Sequence, residues 1–131
     1  MSKTYDFLKE CGVFHVLTMN NEFPAGRPFG AVMEYNGGIY FSTANMKDVY
    51  KQLIENSNMQ IIALKQGTRE WIRISGKAIE CKDVSVKQRM LEECPVLTKH
   101  FESAECKFFA LFEVTDMISY LNTDIGSEKI S

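Results

Sequence analysis

Between Asn36 and Leu53 the chain reads NGGIYFSTANMKDVYKQL: a tight turn, a short strand, a polar strand end and an amphipathic helix in immediate succession. Asn36-Gly37-Gly38 tolerates positive φ and is flanked by apolar runs at 31–35 and 39–41, which predicts a hairpin. The β-favouring Ile39-Tyr40-Phe41 gives way to Ser42-Thr43-Ala44-Asn45, short side chains that suit helix caps, so the strand is expected to end there. From Met46 the apolar residues Val49, Tyr50, Leu53 and Ile54 fall on one helical face, and Asn56-Ser57-Asn58 stops the helix.

Unpaired amides at a helix start carry partial positive charge, and Lys47 and Lys51 lie one turn apart beside them. An anion such as a phosphate is expected at this junction. Taken alone, the same residues also fit an ordinary strand-cap-helix junction with two solvated lysines.

With 131 residues, 45% hydrophobic and 24% charged, the chain is long enough to bury one core, and residues 1–131 read as a single domain. A net charge of −2 argues against a general nucleic-acid binder, so any cationic site must be local. The first residues interleave charges with Phe7 and Leu8 rather than placing a basic region before an apolar run, so no signal peptide is expected. No apolar stretch approaches membrane-spanning length, and a cytoplasmic location without membrane association follows as the expectation.

Cys11, Cys81, Cys94 and Cys106 show no CxxC spacing and read as buried or half-buried thiols. His15 and His100 lack partners at metal-ligand spacing, so no protein-bound metal is expected. His15 reads as a strand histidine rather than a catalytic base, since no nucleophile or carboxylate motif accompanies it.

Along the chain, a helix is predicted over 4–11, a strand over 13–19 and a second strand over 25–35. Pro28 removes a ladder N–H and so places that second strand at an edge, while Gly30 permits close approach to the backbone. Arg27, Phe29 and Ala31 share one face and Pro28, Gly30 and Val32 the other; the pattern fits either a surface edge or a holder for an anion and a flat ring.

The run 59–65 reads as a strand close to fully buried. Over 70–81, Ile72, Ile74 and Ala78 face one way and Trp71, Arg73, Ser75 and Lys77 the other. Trp71 beside Arg73 on an outward face marks a binding surface or subunit interface, or a stacked pair without function. Asp83 caps a helix over 84–93, residues 96–104 are weakly patterned, and a last strand over 107–120 is interrupted at Asp116. Six strands with short turns predict a mainly β, mostly antiparallel small barrel with short helices, and the polar residues 122–131 are expected to form a flexible tail.

Three segments in this order, Arg27-Pro28-Phe29-Gly30, Tyr40 through Leu53, and Trp71 through Gly76, resemble the pyridoxamine 5'-phosphate oxidase-like proteins, the FMN-binding split β-barrel family. The resemblance covers about residues 13–120. It implies a six-stranded antiparallel split barrel of Greek-key type that forms a homodimer, with FMN in clefts between the subunits. By the same resemblance Arg27, Ser42, Thr43 and Lys47 hold the phosphate, backbone around Pro28, Phe29 and Gly30 lies along the isoalloxazine, and Gln52 takes part. Trp71 and Arg73 correspond to positions that reach the site from the partner subunit.

Relative to pyridoxamine phosphate oxidases proper, the sequence lacks the C-terminal substrate-recognition region and has Asp48 directly after Lys47, so oxidation of vitamin B6 is not expected. The function implied is a small FMN-dependent oxidoreductase that passes electrons from a reduced nicotinamide or similar donor to a small acceptor. The alternative is a dimeric flavin- or haem-binding protein without turnover.

Overall fold

The computed structural model describes residues 2–131. Its elements are α1 (Lys3–Cys11), β1 (Phe14–Asn20), β2 (Phe23–Phe29), β3 (Met33–Tyr35), β4 (Gly38–Ala44), α2 (Asp48–Glu55) and β5 (Asn58–Leu64). After these come β6 (Trp71–Cys81), α3 (Val84–Glu93), a 3₁₀ turn (Pro95–Leu97), α4 (Thr98–Phe101), β7 (Phe109–Thr123) and β8 (Gly126–Lys129). The strands form one antiparallel sheet in the order β2-β1-β5-β6-β7-β4-β3, with β8 on β7, and the sheet does not close on itself. Among the described residues no helix is long and apolar enough to cross a membrane.

The mainly β, antiparallel split-barrel architecture agrees with the sequence reading, but the described residues form eight strands rather than six. The single strand expected over 25–35 is two strands at opposite ends of the sheet, since β2 pairs with β1 and β3 with β4. The chain therefore leaves one edge at Gly30 and crosses to the other. Pro28 does lie on an edge strand, as its missing N–H requires. The expected flexible tail is also corrected: Gly126–Lys129 pairs with Tyr120–Thr123, and Ile130 packs against the core.

β4 is buried on both faces, which divides the interior in two. Ile39 and Phe41 point into a cluster built with β1, β5, β6, α1 and α2, while Tyr40 points into a second cluster under α3 and α4. Phe41 stands edge-on to Phe29 at 5.5 Å and stacks on Phe112 at 5.7 Å, so the inward ring of Phe29 anchors the end of β2 to the middle of the barrel. The polar end of β4 is buried with the rest of that strand. Ser42, Thr43 and Ala44 are strand residues, not the helix cap their types suggested.

β5 also departs from expectation. Met59, Ile61 and Ala63 are buried, whereas Leu64 is 54% exposed, so the strand covers the core with one face only. β6 and β7 are held in phase by a bulge: Asp116 and Met117 together oppose Gly76, between the pairs Ser75–Ile118 and Lys77–Thr115. Before the bulge Ala110, Phe112 and Val114 face the core; after it Met117, Ser119 and Leu121 do. Without the extra residue the second half of β7 would turn its apolar set to the outside. Asp116 accordingly takes φ 52°, and a Cβ on Gly76 would meet Thr115 O at 2.8 Å.

Candidate functional site

The ends of β2 and β4, the start of α2 and the connection from α3 to β7 enclose a cleft of about 570 Å³. β2 contributes Arg27, Pro28 and Phe29, with Gly30 just beyond it, and β4 contributes Ser42 and Thr43; Met46 and Lys47 come from the turn into α2. The opposite wall is Val96, Leu97, His100, Phe101 and Phe108. That wall is held in place by Phe101 stacked on Phe109 at 4.6 Å. Asn45 fastens the turn to it, its side-chain amide donating to Lys107 O (2.8 Å) and its backbone N–H to Phe108 O (2.9 Å).

The cleft contains seven of the ten residues singled out from the sequence, namely Arg27, Pro28, Phe29, Gly30, Ser42, Thr43 and Lys47. Its lining carries the cations Arg27 and Lys47 and no carboxylate. Lys47 is the N-cap of α2 but makes no side-chain cap bond, which leaves the first amides of the helix open on this side. Lys51 lies outside the lining, so of the two lysines only Lys47 belongs to the site.

Ser42 is 8% exposed, and its hydroxyl has no hydrogen-bond partner. A buried, unpartnered hydroxyl on the wall of a cationic cleft is free to bond a ligand oxygen. A Cβ built on Gly30 meets nothing within 4 Å, so the absent side chain leaves open space along that wall. These features fit a phosphate-bearing planar cofactor: two cations and an open hydroxyl for the phosphate, and backbone without obstruction beside it.

Gln52 does not line the cleft; it holds Arg27. Arg27 Nη2 donates to Gln52 Oε1 (2.9 Å), and Nη1 donates to Thr18 Oγ1 (2.8 Å) and Val16 O (3.2 Å). Burial lowers the Arg27 pKa from its ordinary value, and the nearby Asp48 carboxylate partly offsets this, so the guanidinium stays charged.

Trp71 and Arg73 are not brought to the cleft within one chain. They stand on the outward face of β6, the guanidinium 4.9 Å from the centre of the indole ring, among the exposed Leu64, Ile118 and Tyr120. A second hollow of about 450 Å³ on the outer side, lined by Leu17, Met19, Gln60, Ser75 and Ile118 among others, gathers no pair of cations and none of the ten residues.

Sequence reasoning missed Thr18, Met46 and the wall formed by Val96, Leu97, His100, Phe101 and Phe108. The spacing of Leu97 and Phe101 by four was the available signal for a helical turn with an inward face.

No family model matches the chain, and no curated protein matches it. Solved structures do. A NimC/NimA family protein from Clostridium acetobutylicum is 33% identical, with a TM-score of 0.92 over 98% of this chain and 89% of that one. A pyridoxamine 5'-phosphate oxidase-related, FMN-binding protein from Nostoc punctiforme is 15% identical, with a TM-score of 0.62 over 92% of this chain and 87% of that one. A haem-binding protein from Mycobacterium smegmatis is 8% identical, with a TM-score of 0.75 over 98% of this chain and 58% of that one. The last two likenesses concern the fold, and the fold is that of the pyridoxamine 5'-phosphate oxidase-like split barrels, as the three sequence segments implied.

Proposed function

The chain belongs to the NimC/NimA family, and on that footing we propose that it is an FMN-binding flavoprotein acting as a small oxidoreductase. The observation that carries this reading is the convergence of Arg27, Ser42, Thr43 and Lys47 on one cleft, with the Ser42 hydroxyl buried and unpartnered. A phosphate monoester carries about −1.5 to −2 charges at neutral pH, which matches the two cations of the lining. Arg27 and Lys47 neutralise it by charge-assisted hydrogen bonds, the Ser42 and Thr43 hydroxyls complete its shell, and the backbone at Pro28, Phe29 and Gly30 bounds the ring.

When bound, FMN supplies the hydride or electron transfer between a reduced nicotinamide or similar donor and a small acceptor. The chain's own residues bind and orient. The outward face of β6 and β7 completes the site in a homodimer, where Trp71 and Arg73 of a second copy close the cleft. Four unpaired thiols suit a reducing cytoplasm, without a nucleic-acid or membrane partner.

FMN titration by quenching of flavin fluorescence tests the reading. Arg27→Ala removes one charged contact to the phosphate and is expected to weaken FMN about tenfold or more while the protein remains folded. Equal affinity in the mutant and the native protein would count against the assignment. Bleaching of the bound flavin by NADH or NADPH without oxygen supports turnover; no reduction by either removes the oxidoreductase part and leaves a flavin-binding protein.

A further inference from the structure

We propose that Thr18 and Gln52 are positioning residues that hold Arg27 on neutral acceptors alone, keep its charge for the ligand phosphate, and so set a preference for phosphorylated flavin over its dephosphorylated form. The proposal rests on the flavin reading above and assigns Thr18 and Gln52 a role behind the cleft wall.

Strand pairing creates the arrangement. Thr18 lies opposite Ala25 and Val16 opposite Arg27, so Thr18 and Arg27 are diagonal neighbours on the inner face shared by β1 and β2. Thr18 is 2% exposed. Gln52 reaches the same point from α2.

The donor inventory fixes the direction of every bond. Arginine has only donors, so Thr18 Oγ1 accepts from Nη1 (2.8 Å) and must spend its own proton elsewhere. Gln52 Oε1 lies 2.5 Å away and receives it, while also accepting from Arg27 Nη2 at 2.9 Å. Three of the five guanidinium N–H groups are thereby engaged by a hydroxyl, an amide oxygen and the carbonyl of Val16. None of these acceptors is charged. The one carboxylate that acts on Arg27, Asp48, does so through space and not by a hydrogen bond.

A glutamate in place of Gln52 would accept the same bonds but neutralise the guanidinium in advance. The amide gives the same geometry without that cancellation. A hydroxyl at Thr18, not a methyl, gives Nη1 an acceptor on the half-buried inner face of the strand pair.

The test titrates FMN and riboflavin separately into the native protein and the variants Thr18→Val, Thr18→Ser and Gln52→Glu. Thr18→Val and Gln52→Glu are expected to weaken FMN about tenfold or more, the scale of one charged hydrogen bond, and to leave riboflavin within about twofold. Thr18→Ser restores FMN affinity. Parallel changes for the two flavins, or unchanged FMN affinity in Thr18→Val, overturn the proposal.

If the native protein binds neither flavin, the flavin reading fails, and inorganic phosphate binding followed on the Arg27 side-chain NMR signals decides the rest. Loss of phosphate binding in Thr18→Val with retention in Thr18→Ser upholds the positioning role. Equal binding in both refutes it.

Discussion

Ser42→Ala should move stability and ligand affinity in opposite directions. The Ser42 hydroxyl is buried at the end of β4 without a partner. An unsatisfied buried polar group costs about 1–3 kcal/mol, and exchanging it for a methyl hydrogen leaves the packing volume nearly unchanged. For 131 residues, an unfolding entropy of about 2.1 cal/mol/K per residue translates each kcal/mol into roughly 4 °C of Tm. The FMN-free variant is therefore expected to melt about 4 °C higher at the low end of that range.

The same change removes a hydrogen bond to a charged ligand oxygen, worth about 1.5–3 kcal/mol, so FMN should bind about tenfold to a hundredfold more weakly. Differential scanning fluorimetry without FMN gives the first quantity and flavin fluorescence titration the second. A lower Tm with unchanged FMN affinity would show that the hydroxyl is bonded within the fold and faces no phosphate.

Gly76→Ala should lower Tm by roughly 4–10 °C, because its Cβ meets Thr115 O at 2.8 Å and Val114 Cγ1 at 3.0 Å, an overpacking worth about 1–3 kcal/mol; an unchanged Tm would mean that the bulge yields. Burial raises the Cys11 and Cys94 pKa values above the ordinary thiol range, so little thiolate forms there at pH 8. A chromogenic disulfide reagent should label Cys81 and Cys106 first and reach all four thiols only in denaturant, and fast labelling of four in the native state would contradict the burial. On the proposed dimer, Arg73→Glu should shift sedimentation from dimer toward monomer and lower Tm only by what association contributes, since Arg73 is exposed in the single chain; a dimer of unaltered strength would count against this face as the interface.

The elements legible in the sequence are those with a clear period or a cap. β6 alternates, and Asp83 caps α3 with its carboxylate accepting from the Ser85 N–H. The break between β2 and β3 was hidden because Ala31, Val32 and Met33 stay buried or half-buried while the chain changes sheet edge, so the apolar run continues through the break. β5 misled for a related reason: four consecutive apolar residues, Ile61 to Leu64, carry no period that distinguishes one covered face from two. β8 has no apolar signal at all, since Gly126, Ser127, Glu128 and Lys129 are exposed and are held on β7 by the backbone ladder and a bond from the Ser127 hydroxyl to Asn122 Oδ1.

Arg27, Ser42, Thr43 and Lys47 came together as a set only through the family resemblance; their residue types alone left Arg27 between a surface edge and an anion holder and read Ser42 and Thr43 as helix-cap residues, and the fold places all four on one cleft. Thr18 was not legible, because a single hydroxyl inside Val16-Leu17-Thr18-Met19 looks like any β-favouring residue until Arg27 is placed diagonally across from it. Trp71 and Arg73 were legible as an outward pair because β6 alternates cleanly there, and the guanidinium does stand over the indole on that outer face.

Whether the cleft between β2, β4 and α2 holds FMN is decided by a visible absorption spectrum of the purified protein, taken after excess FMN has been added and removed by desalting. A two-banded flavin spectrum should be retained at up to one FMN per chain, with a smaller share retained by Arg27→Ala. A colourless native protein, or a sharp haem-like band in place of the flavin bands, would contradict the assignment.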